Sequence, residues 1–209
     1  MNNDTKVLHA YIQRKIRILT QSRNESWVKA TLATLRRGVG EAPGALPEVW
    51  PITLGDMPQT LVGQGATPSK AEWAAHTTLT LFALHQQGKN PRTECMSRDN
   101  ATFGSAVRRL SPNQEISETV KRRFDAAVTA DSPEEFAHHL RGLVQLMRQA
   151  GIPLDYPALG EQLYWFQYPE RRDAVRLEWG RAFYHGKTED ALTDANKDGE
   201  TREEAENHE

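Results

Sequence analysis

DSPEEFAHHLRGLVQLMRQAGIPLDY, residues 131–156, carries a helix start, a buried face and a helix stop in one stretch, and the rest of the chain is read outward from it. Ser132 is an N-cap residue, Pro133 suits the first helical position, where no amide donor is needed, and Glu135 completes a capping box. Phe136, Leu140, Leu143, Val144 and Met147 fall on one side of the helical period, and Gly151 supplies a left-handed stop. Such a face requires a core to bury in. Beside it Arg141, Gln145 and Arg148 recur at steps of four and three, so two guanidinium groups and an amide share one edge of the same helix.

The same period appears on both sides of this stretch. Val7, Leu8, Tyr11, Ile12, Ile16 and Leu19 make residues 4–21 an amphipathic helix. Asn24 caps a second helix with Trp27, Val28, Thr31, Leu32 and Leu35 inward and Gly38 as its stop. Lys29 and Arg36 share a face of it, and Arg36 with Arg37 has two readings, a ligand contact or a complement to the helix dipole. Prolines at 43, 47, 51, 58 and 68 make residues 38–68 a long irregular connection, of the kind that is usually functional or docked on a partner. Leu46, Val49, Trp50 and Leu54 suggest that part of it folds back on the core.

Ser69 caps a helix over 71–87 that is apolar around most of its girth and therefore central. Residues 103–110 form a short helix bearing Arg108 and Arg109. Ile116, Val120, Phe124, Ala127 and Val128 mark the next, on which Lys121, Arg122 and Arg123 are consecutive. After the 131–156 stretch, Asp155 caps a segment through Phe166 and Pro169 opens a last helix. The expectation is an all-α chain of about eight helices with no sheet.

At 209 residues the chain fits one large domain or two small lobes. One cysteine, Cys95, excludes an intrachain disulfide framework, and with no long apolar run or signal segment the expected location is cytoplasmic. The net charge of −2 is uneven: residues 187–209 hold nine acidic and three basic side chains, −6, which leaves +4 for the body. A basic body is compatible with a polyanionic partner where its cations cluster. The acidic tail is expected to be disordered. Its Asp194-Ala-Asn196-Lys-Asp198-Gly199 begins like a calcium loop, but Ala205 stands where the bidentate glutamate belongs.

Nothing in the motifs points to catalysis or to a cofactor. There is no glycine-rich phosphate loop, no GxSxG, no HExxH and no carboxylate cluster of the two-metal kind. His76 and His85 do not share a helix face, and adjacent His138 and His139 point about 100° apart, so neither pair chelates a metal.

The strings Leu35-Arg36-Arg37-Gly38 with the following proline-rich loop and Trp50, AAHTTLTLFALHQQ (74–87), FGSAVRRL (103–110), VKRRFDAAVTADS (120–132), HHLRGLVQLMRQAGIPLDYPALGEQLY (138–164) and VRLEWGRAFY (175–184) resemble the CasB family. CasB is the small subunit of the type I-E CRISPR Cascade surveillance complex. The resemblance spans about residues 25–185 and implies two helical-bundle lobes, placed here as residues 1–110, including the loop 38–68, and 111–186, followed by the tail. It also implies a non-catalytic subunit, present twice in the complex, that contacts the backbone and large subunits. Such a subunit helps hold the crRNA, the target DNA strand and the displaced non-target strand of the R-loop in antiviral defence. Arg36, Arg37, Arg108, Arg109, Lys121, Arg122, Arg123, Arg141 and Arg148 are then expected to converge on one nucleic-acid groove. The rival reading is a helical protein–protein adaptor whose arginines only solvate its surface.

Overall fold

The computed structural model describes residues 3–111 and 115–185. Its helices are α1 (Asn3–Gln21), α2 (Glu25–Arg37), α3 (Trp50–Thr53), α4 (Lys70–His85), α5 (Phe103–Arg108), α6 (Glu118–Val128), α7 (Pro133–Ala150), α8 (Tyr156–Phe166) and α9 (Pro169–His185), with a 3-10 turn at Pro47–Val49. Among the described residues there is no strand, only an isolated bridge between Ser97 and Leu154, and the fold is all-α as expected. The helix beyond the expected eight is α3, a single turn inside the proline-rich connection. The acidic tail and its calcium half-motif lie outside the described residues.

Local signals act nearly where they were read. Ser132 Oγ accepts the Glu135 amide at 3.1 Å, Gly151 adopts φ +69°, and all five stripe residues of α7 are buried. Two caps are displaced by a residue or two. Glu135 takes the amide of Asp131 rather than that of Ser132, so the reciprocal box is not closed there. Gly38 has φ −78°, and the left-handed position after α2 is Gly40, at φ +88°. The closed capping box sits instead on α4, where the Ser69 hydroxyl accepts the Glu72 amide at 3.0 Å and the Glu72 carboxylate accepts the Ser69 amide at 2.6 Å. Glu72 also accepts the Gly63 amide and the Ser69 hydroxyl donates to Leu61 O, so one cap ties down the end of the long connection.

The rest of that connection is fastened by α1. The Tyr11 hydroxyl lies 3.1 Å from both Ile52 O and Gly55 O, and the buried Lys15 ammonium donates to Pro51 O. Val49 is buried and Leu46 and Leu54 pack on the core, but Trp50 stays 39% exposed, its indole N–H donating to Pro43 O. Trp27, read as inward from its spacing, is 38% exposed; α2 buries only Val28, Leu32 and Leu35.

Helix packing does not follow chain order. Thirteen of the sixteen residues of α4 are buried, and α1, α2, α3 and α8 gather around it. A second group joins α5 to α9 and α6 to α7, and the α4–α7 and α8–α9 contacts weld the two. α5 packs with the later helices and α8 with the earlier ones. Gly104 and Gly160 permit the closest crossings: a methyl group would collide with the Trp179 carbonyl at the first and with Ile12 at the second. The second group is filled by rings, with Phe136 stacked on Trp179 at 4.5 Å and Phe124 on Phe183 at 4.2 Å.

Candidate nucleic-acid interface

With its apolar stripe sunk in the core, α7 turns one polar edge outward. His138, Arg141, Gln145 and Arg148 succeed one another at three, four and three, a row ~15 Å long at the helical rise. His138 lengthens the edge read from the sequence by one turn.

At the C-terminal end of this row Arg148 Nη1 donates to Gln87 Oε1 at 2.6 Å, in the turn that leaves α4. The last turn of α2 brings Arg36 to the same place. Burial, reinforced by the positive charge of Arg148, lowers the pKa of the Arg36 guanidinium. Among the described residues neither Arg36 nor Arg148 has an ion-pair partner within 4.0 Å. Neither charge is neutralised by a carboxylate, so both add to the positive potential at this end of the row. Next to them α2 and the 86–92 turn enclose a cleft of about 440 Å³ with Leu19, Val28 and Leu32 in its lining and Lys29, Arg36, Lys89 and Arg92 as its cations. Lys29 and Lys89 each approach a carboxylate only loosely, Glu25 at 3.9 Å and Glu94 at 4.0 Å.

Midway along the row, Arg141 stands over the turn after α2: a Cβ added to Gly40 would lie 3.9 Å from its Nη1. His76 fixes that turn, its Nε2 3.1 Å from Gly38 O, and burial lowers the pKa of its imidazole and favours the neutral form. At the N-terminal end, Arg122 and Arg123 of α6 meet His138 and His139 around a notch of about 270 Å³ that includes Gly142.

Four of the expected residues are elsewhere or engaged. Arg37 pairs with Glu48 at 3.4 Å. Lys121 donates to Asp125 one turn on, and that bond raises its pKa. Arg108 is buried in α5 and Arg109 half-buried after it, so Arg108 is not offered to solvent. The geometry thus gathers Arg36, Arg122, Arg123, Arg141 and Arg148 about the α7 edge. It adds Lys89 and Arg92, which the sequence does not flag because turn residues carry no period, and His138, whose i,i+3 relation to Arg141 was the available signal.

The most specific comparison covers this same region. A family model described as CRISPR-associated protein Cse2 matches residues 31–184. The chain belongs to the Cse2 family. All nine basic residues singled out in the sequence fall inside the match, and the acidic tail falls outside it. The chain is similar to the crystal structure of CasB from Thermobifida fusca, with 34% identity, 85% of this chain and 98% of that one covered, and a TM-score of 0.72. CasB from Thermus thermophilus (23% identity, 90% and 100% covered, TM-score 0.59) and M. ruber CasB (23%, 84% and 93%, 0.60) share the fold. No curated protein matches at a significant level. No helix among the described residues is long and apolar enough to cross a membrane.

Proposed function

We propose that this Cse2-family protein is a non-catalytic small subunit of a Cascade effector complex. It grips the sugar-phosphate backbone of the crRNA, the target strand and the displaced DNA strand along the α7 edge. R-loop formation exchanges one duplex for another of similar stability, so a modest number of phosphate contacts tips the balance. The observation that carries this reading is the run of Arg141 and Arg148 along the outward edge of α7, ending where Arg148 bonds Gln87 in the wall of the cleft that Arg36 also lines, with no ion-pair partner within 4.0 Å of these three among the described residues.

The decisive measurement is binding of single-stranded DNA and RNA by the full chain at several salt concentrations. Arg141→Ala with Arg148→Ala should weaken binding about equally for unrelated sequences, with the logarithmic salt slope falling by roughly 0.7 per lost phosphate contact. Unchanged affinity and slope would remove the α7 edge from the reading. Ile18, Trp27 and Trp50, each between 38% and 40% exposed, favour protein contacts as well, and we assign them to the backbone and large subunits or to the second copy. Binding to those subunits that ignores salt, together with no retention on a polyanion, would establish the adaptor reading in place of the nucleic-acid one. A metal-dependent nuclease assay tests the absence of catalysis.

A further inference from the structure

We infer that the cleft between α2 and the 86–92 turn seats a single unstacked nucleotide of the bound strand, its phosphate between Arg36 and the Gln87-bound Arg148 and its base on the apolar floor. The inference rests on the nucleic-acid reading and goes beyond phosphate tracking, because it places one base inside the protein.

Three observations support a built pocket rather than a charged surface. Its volume, about 440 Å³, falls in the ~300–1,000 Å³ range of sites for small organic ligands, whereas a phosphate alone needs only a surface notch. Its lining divides by chemistry. Val28 and Leu32 on α2 give an apolar floor, and Arg36 of the lining, with Arg148 bonded from outside to the lining residue Gln87, gives a cationic end, which is the division of a nucleotide into base and phosphate. Its far wall is held in place before any ligand arrives. The Gln86 side chain donates to Lys89 O and Glu94 O and accepts the Met96 amide, the Asn90 side chain accepts the Arg92 amide, and Gly88 makes the turn at φ +83°. Gln87, on the same wall, accepts from Arg148 through its amide oxygen, so its N–H₂ is the group that would donate to a base edge. A preformed cleft avoids the ordering cost of binding a mobile strand.

The test uses the full chain and two strands of equal length, one of thymidylates and one built wholly of abasic deoxyribose phosphate. Phosphate tracking treats the two alike; a seated base does not. The thymidylate strand should bind about tenfold more tightly, the ratio that ~1.4 kcal/mol of contact gives. With 4-thiothymidine in place of thymidine, ultraviolet cross-links should map to residues 19–36 or 86–92. Equal affinities for the two strands, or cross-links confined to other segments, overturn the pocket while leaving the nucleic-acid reading intact. Failure of both strands to bind overturns the nucleic-acid reading and the pocket with it. Arg36→Gln with Arg148→Gln, checked by a thermal melt, should cut affinity for the thymidylate strand and shrink its advantage over the abasic one; an advantage left at full size also counts against the pocket.

Discussion

Two pairs of arginines, Arg36 with Arg148 and Arg172 with Arg176, look alike as sequence and differ in every partner. Arg172 Nη1 donates to Asp131 O at 2.7 Å and its Nε to Phe166 O, while Arg176 Nη2 donates to Ala130 O at 2.8 Å. Both guanidinium groups lie over the Phe166 ring, at 5.0 and 5.9 Å. They hold the chain between α6 and α7 against α9, their charge met by backbone carbonyls and, for Arg176, by the Asp173 carboxylate at 3.3 Å as well. Among the described residues Arg36 has no carboxylate within 4.0 Å, and Arg148 donates to the neutral amide of Gln87. An arginine's role follows from whether acceptors already fill its five donors, not from its spacing on a helix.

The largest effect that tests this contrast is on stability. Arg172→Ala with Arg176→Ala leaves three carbonyls without a charged donor and should cost ~3 kcal/mol, roughly 6–10 °C in Tm, with the nucleic-acid salt slope unmoved. A changed slope with an unchanged melt would exchange the roles of the two pairs.

A nearly equal effect comes from acid. His85 is fully buried against Tyr156, and burial pushes its pKa down to about 4. An unfolded chain takes up that proton near the ordinary value of about 6.5, so as pH falls the unfolded state is protonated first. Stability should therefore drop between about pH 6.5 and 4 by up to ~3 kcal/mol, with His76 shifting in the same direction. Thermal melts across that range should lose most of this slope in His85→Gln; a slope that survives there belongs to other groups.

Arg36→Ala with Arg148→Ala should do the reverse of the α9 pair. Tm holds or rises slightly as like charges are relieved, while the salt slope on a single strand falls by about 1.4, two contacts of ~0.7 each. Loss of several degrees with an intact slope would show that these two are structural as well. The smallest effect is expected at Arg37, whose pair with Glu48 is exposed on both sides: Arg37→Ala should change stability by less than ~0.5 kcal/mol in a melt.

The amino-acid order alone determined the helices, the cap at Ser132, the stop at Gly151, the buried stripe of α7 and the central, all-round apolar character of α4. These depend on neighbours within one or two turns, and a period of 3.6 or a side-chain cap is legible wherever it is local. Tertiary structure decided which arginines remained unpartnered. It buried Arg108, turned Trp27 outward, and brought Arg148 to Gln87 on the wall of the cleft that Arg36 lines. It also built the cleft wall from a turn whose side chains have no pattern to read. Helix formation is settled by contacts a few residues apart, whereas the availability of a charge is settled by whichever acceptors the fold brings to it from elsewhere.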